Sequence, residues 1–262
     1  MTARALVVGI PTTRVHQVKD IPLAGASNDA VRMGALLRAR GFGKDDVDVQ
    51  QHGLTVVKFK ERLKQLRTST LSGDLAVVYI SGHGYRRPTS DPREPDGYDE
   101  CLVLSDDVLA DNWFRAEFWP GVAASSFWMT CADTCFSATV LVGIDVFRPP
   151  EDDEIVPTPM GVLNAPTYAR ISLAAAGESQ LAQEIRKGGI IEGWYTGGIL
   201  QAIAATPSLD YDELWKSLDR RWQKERVGYR MLGEPWMTSS EGAQAFVRYP
   251  AFAALDYTPG VS

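Results

Sequence analysis

Four short, almost unbroken apolar runs recur along the chain: ALVVGI (Ala5–Ile10), LAVVYIS (Leu75–Ser81), SSFWMTC (Ser125–Cys131) and RISLAAA (Arg170–Ala176). A strand open to water on one face alternates apolar and polar residues, whereas one covered on both faces does not. The runs therefore predict central strands of a mostly parallel sheet, which need crossover helices between them. Ser27–Gly43 supplies the first, with Ala30, Val31, Met33, Leu36 and Leu37 near helical spacing, Ser27 as N-cap and Gly41 as the stop. VDVQ (Val47–Gln50) reads as a shorter strand, and Thr55–Leu66, Thr196–Ala205 and Tyr211–Gln223 read as further helices. The alternation predicts an α/β fold with a sheet of about six strands and helices on both faces.

Three connections depart from this frame. Arg86–Asp111 is too long for a plain crossover and is interrupted by Asp96-Gly97, which predicts a projecting hairpin. Phe147–Gly161 is rich in proline and acids and is expected to be exposed. Gly177–Gly193 is expected as a loop beside the site. Gly233–Pro250 is read as supplying a last strand, and Trp194, Trp236 and Met237 are assigned no role beyond packing.

The 262 residues fit one large core, so a single domain is expected. Their 27 basic and 33 acidic side chains leave a formal charge of −6 with no basic stripe, which argues against a nucleic-acid partner. No apolar run reaches the length of about 18 residues that a membrane span needs, and the N-terminus lacks the pattern of a secretory signal. No membrane partner and a cytoplasmic location are therefore expected. The first strand begins within a few residues of Met1, so no pro-segment is expected. Three cysteines, Cys101, Cys131 and Cys135, are an odd number for a disulfide framework. Cys131 and Cys135 find no second pair at zinc spacing, so no structural metal is expected.

Ligands of open α/β sheets bind outside the carboxyl ends of the strands. His83 follows the run LAVVYIS and sits between Gly82 and Gly84; Cys135 is placed four residues past the end of SSFWMTC. Both belong at one edge of the sheet, and their separation fits a caspase-type spacing of about 50 residues. An imidazole beside a thiol can take its proton and later pass it to a leaving amine. The N–H groups of Gly84 and Cys135 are placed to hold a developing oxyanion. His16 and His52 lack the glycine frame and are read as structural or solvated. Cys101 and Cys131 are read as inert, buried thiols.

In their order, YISGHG, PDGYDE and ADTCFSA resemble the caspase-like fold of metacaspases and paracaspases, over roughly Ala5 to Ala205. The resemblance implies a caspase-like three-layer sandwich forming one domain over 1–262. Within it, 1–143 would be a large-subunit-like part carrying His83 and Cys135, 144–161 an exposed linker and 162–262 a small-subunit-like part. It implies a cysteine endopeptidase with His83 as base and Cys135 as nucleophile, working through a thioester and cleaving after arginine or lysine. Asp29, Ser81 and Asp133 stand at the positions that line the pocket for that residue. Its partners would be protein substrates with exposed basic residues. Separately, cleavage in an exposed loop by an upstream activating protease is expected to switch activity on, with Arg148, Arg186 or Lys187 as the candidate site.

The chain also departs from the family pattern, with Phe136 in place of a histidine and Ala138 in place of a glycine. Many metacaspases bind calcium; here Asp111–Asn112 replaces paired acids and Val142 stands where an aspartate is expected. Losing carboxylates weakens an oxygen-rich site, so no cofactor is expected and calcium dependence is doubtful. Two other readings stand beside the protease: a caspase-shaped binding or signalling module, since fold does not fix function, and a cysteine hydrolase of a non-peptide acyl group. The intact His–Cys pair argues against the first and the acidic pocket against the second.

Overall fold

Strand β1 (Ala3–Gly9) sends its side chains alternately into two cores, Ala5 and Val7 into one and Leu6 and Val8 into the other. An unbroken apolar run is what such a strand requires, and it places helices on both faces of the sheet. The computed structural model describes residues 1–92, 94, 96–138, 140–141, 168–177, 180–226, 233–240 and 243–254. On one face lie α1 (Ala24–Ala39), α3 (Trp194–Ala205) and α4 (Tyr211–Glu225), which bury Met33, Leu37, Ile199, Ile203, Leu214 and Leu218. The other face is covered by α2 (Val56–Ser69) through Phe59, Leu63 and Leu66. Phe59 and Leu63 are fully shielded, and burial of each contributes about 1.5–3 kcal/mol.

Among the described residues the main sheet has six strands, ordered β11 (Trp236–Ser239), β8 (Ala169–Ala174), β7 (Phe127–Asp133), β3 (Leu75–Ser81), β1 and β2 (Val47–Gln50). All neighbours pair in parallel except β11, which runs antiparallel to β8. The order reverses beside β3, and the strand ends nearest that point carry the candidate site, where the general rule for such sheets would put it. Arg86–Asp111 projects as expected, built as a small antiparallel sheet of β4 (Gly84–Pro88), β5 (Tyr98–Val103) and β6 (Val108–Ala110). A short helix, α5 (Gln244–Val247), follows the last strand. No helix among the described residues is long and apolar enough to cross a membrane.

Several expectations need correction. Ser27 is not the N-cap of α1: the helix begins at Ala24, Leu23 holds the cap position without a side-chain bond, and Ser27 donates to the Gln51 carbonyl (2.6 Å). The first-turn amide of Gly25 is instead satisfied from afar by the Glu184 carboxylate (2.6 Å), a tertiary cap that local sequence does not reveal. Cys135 lies two residues past its strand, not four, because β7 continues to Asp133 in register with β3. Gly177–Gly193 is not all loop, since it contains a hairpin of β9 (Glu184–Lys187) and β10 (Ile190–Gly193). The linker 144–161, Arg148 and Val142 lie outside the described residues.

Candidate active site

Strands β3 and β7 pair from Leu75↔Phe127 to Ser81↔Asp133. His83 and Cys135 each stand two residues beyond that last pair, so equal offsets from one register bring them to the same edge of the sheet. The pairing continues past the strand end through the Gly82 amide, which donates to the Asp133 carbonyl (3.2 Å). Gly84 then passes so close that a Cβ on it would lie 1.8 Å from the Cys135 carbonyl oxygen, so only glycine fits. The Val103 amide donates to the His83 carbonyl (3.1 Å). Gly84 and Leu102 are therefore a non-hydrogen-bonded pair of the β4–β5 ladder, and the Gly84 N–H points away from β5.

The His83 ring is held by Nε2, 2.6 Å from the Ile21 carbonyl oxygen. A carbonyl only accepts, so in the neutral ring Nε2 carries the hydrogen and Nδ1 is the free base. The Cys135 sulfur lies 3.8 Å from the Ala182 carbonyl oxygen. No hydrogen bond joins the His83 and Cys135 side chains among the described residues. Burial pushes the Cys135 thiol up, opposed by backbone hydrogen bonds from Ala182, Gly84 and Cys135 itself. Cys101 and Cys131 are buried, with thiols raised chiefly by desolvation, to about 12 for Cys101. Phe136 adopts φ 53°, a left-handed conformation that costs a bulky residue on the order of 1–3 kcal/mol. Its amide donates to the Gln180 carbonyl (2.9 Å), which helps hold this turn.

Beneath the thiol lie the acids that the sequence singled out. Asp29, completely buried on α1, accepts at Oδ2 from Ser81 Oγ (3.0 Å) and the Gly193 amide (2.9 Å), while its Oδ1 has no partner among the described residues. Asp133 Oδ2 accepts from the Thr196 amide (3.0 Å) and hydroxyl (2.6 Å), and that hydroxyl is 2.6 Å from Tyr79 OH. Desolvation, then the charge of Asp133, pushes the Asp29 carboxyl up to about 8; burial raises Asp133 as well. Two carboxylates buried together disfavour each other's ionised form, and a cation between them would relieve both.

Thr196, Tyr79, Glu184 and Ile21 belong to this site and were not anticipated. Thr196 carried one signal, a hydroxyl residue at the start of a helical pattern. The others act through tertiary contacts or, for Ile21, through a backbone carbonyl that any residue would offer. His16 and His52 are exposed. Trp194 is buried in the core and donates to Glu225 (2.7 Å). Met237 packs against the same core.

A second group of acids lies on the projecting sheet, where carboxylate oxygens of Glu94, Asp99 and Asp111 fall within 4.8 Å of one another. This is the one described cluster with metal-like spacing of donors.

A family model described as Caspase domain matches residues 2–247. Metacaspase-4 of Arabidopsis thaliana is 35% identical over 126 residues, which cover 44% of this chain and 29% of that protein. Metacaspase-1B of Aspergillus clavatus is 27% identical over 183 residues, covering 64% of this chain and 40% of that protein. The chain thus spans well under half the length of these curated relatives. Among solved structures, a Geobacter sulfurreducens protein superposes with a TM-score of 0.71 at 20% identity, covering 98% of this chain and 100% of that one. Caspase-1 from Spodoptera frugiperda superposes with a TM-score of 0.57 at 12% identity, covering 90% and 87%. At these identities the structural matches bear on the fold.

Proposed function

The chain belongs to the caspase-domain family, and from that premise we propose that it is a cysteine endopeptidase that cleaves after arginine, and secondarily lysine. The observation that carries the reading is the shared register of His83 and Cys135 over a buried pair of aspartates. Nδ1 of His83 takes the Cys135 proton as the sulfur attacks the carbonyl carbon of the scissile bond. The oxygen becomes an oxyanion facing the N–H groups of Gly84 and Cys135. Collapse breaks the C–N bond, and the imidazolium returns the proton to the departing amine. Water, deprotonated by His83, then attacks the thioester, and the acid product leaves as the thiol is restored.

The residue before the scissile bond enters between Asp29 and Asp133, with Ser81 alongside. Neighbouring carboxylates match the fork of a guanidinium better than the single ammonium of lysine. Asp29 and Ser81 are closed off from solvent, so entry displaces the adjacent β9–β10 hairpin. Arg186 and Lys187 are exposed on that hairpin, where an activating protease could reach them. Hydrolysis of fluorogenic peptides ending in Arg, Lys or Asp, by wild type and Cys135→Ala, tests the reading. Cleavage after Arg that the variant loses is expected; cleavage only after Asp would overturn the pocket assignment.

A further inference from the structure

The acids of the projecting sheet invite a divalent cation, yet their surroundings already contain cations. Asp99 has both oxygens engaged: Oδ2 accepts from Arg87 Nη2 (2.8 Å) and Oδ1 from Asn112 Nδ2 (2.8 Å). Asn112 turns its amide nitrogen to Asp99 and its oxygen to the Arg115 guanidinium, so the atom a hard cation would seek is already bonded. Asp111 Oδ1 accepts the Asn112 backbone amide (2.7 Å). Arg115 Nη2 also lies 3.7 Å from Glu94 Oε1. On the neighbouring position of β5, Glu100 is paired with Arg86 (3.2 Å). The donor set therefore does not fit calcium as it stands: two guanidinium groups and an amide N–H are already bonded to oxygens that a bound ion would need.

We propose that Arg115, together with Arg87, is the built-in counter-cation of the Glu94, Asp99 and Asp111 cluster, and that it holds the projecting sheet in shape without a divalent metal. The charges support this directly, because like carboxylates crowded in a buried site repel unless a cation lies among them. Arg115 supplies that cation from the helical turn Phe114–Phe118, whose start is fixed to the cluster by the Phe114 amide donating to the Asp111 carbonyl (2.8 Å). The consequence reaches the thiol site through β4 and β5. Arg87 and Asp99 are register partners near the far end of β4, Gly84 opens that strand, and the Val103 amide of β5 holds the His83 carbonyl.

The test reads stability, so it stands or falls apart from any protease activity. Thermal unfolding of the full chain is followed in chelator and in millimolar calcium chloride, for wild type, Arg115→Met and the double variant Arg115→Met/Asp111→Asn. A ligand that binds only the folded state raises the midpoint. Wild type is expected to melt at the same temperature in both solutions. Arg115→Met is expected to melt several degrees lower in chelator and to recover in calcium, which now fills the vacated charge. The double variant, relieved of one carboxylate, is expected to recover in chelator and to ignore calcium. A wild-type midpoint raised by several degrees in calcium would overturn the proposal. So would a double variant as unstable as the single one, or one that fails to fold, since Arg115 would then act by packing rather than by charge.

Discussion

Asp29 on α1 and Asp133 at the end of β7 lie on either side of Gly193, whose absent Cβ would fall 3.0 Å from one carboxylate and 2.1 Å from the other. This close approach forms the floor of the candidate site and keeps two carboxyls buried together.

Burial, and after it the charge of Asp133, pushes the folded Asp29 carboxyl up to about 8, far above the 3.8 of a free aspartate. Between those values the folded state holds a proton that the unfolded state releases, so stability falls as pH rises through that window and is fully retained below it. Melting midpoints measured from pH 5 to 9 are expected to decline toward the alkaline end, and Asp29→Asn should flatten the decline. An arginine side chain entering the pocket must expel the same proton, so KM for arginine peptides is expected to fall as pH rises toward 8.

Removing either acid should separate binding of arginine from general activity. Breaking one partner of a buried charge pair costs roughly 2–5 kcal/mol, on the order of 30-fold to several thousand-fold in kcat/KM. Asp29→Asn and Asp133→Asn are each expected to show that loss with arginine peptides, read by steady-state kinetics.

Gly84→Ala should be damaging, because Gly84 is buried and its Cβ would overlap the Cys135 carbonyl. Crowding of this kind costs about 1–3 kcal/mol, and displacing the Gly84 N–H would remove the proposed oxyanion donor, a loss of about 100-fold or more in kcat. Thermal unfolding and kcat together check both effects.

Cys135 is partly exposed while Cys101 and Cys131 are buried with raised thiols. Brief treatment of the folded protein with iodoacetamide should label Cys135 alone, as mass spectrometry of its peptides would show.

The central strands were legible because burial on both faces leaves a mark in every residue, as in LAVVYIS. The His83 and Cys135 positions were legible because strand ends locate sites in this class of sheet. What escaped depended on distant partners. The Glu184 carboxylate caps α1 across the fold, Ser27 had the right chemistry for that cap but sits one turn inside the helix, and the Ile21 carbonyl that orients His83 leaves no trace in side-chain identity. The pairing of Arg87 and Arg115 with the acids of the projecting sheet likewise depends on strand contacts that local sequence does not show.

We propose that Cys135, served by His83, cleaves peptides after arginine. The most direct measurement is the kcat/KM of an arginine-ending fluorogenic peptide for wild type, Cys135→Ala and His83→Ala, with folding of each checked by circular dichroism. Cleavage by wild type and a loss on the order of 1,000-fold or more in both folded variants is the predicted result. Undiminished hydrolysis by folded Cys135→Ala would contradict it.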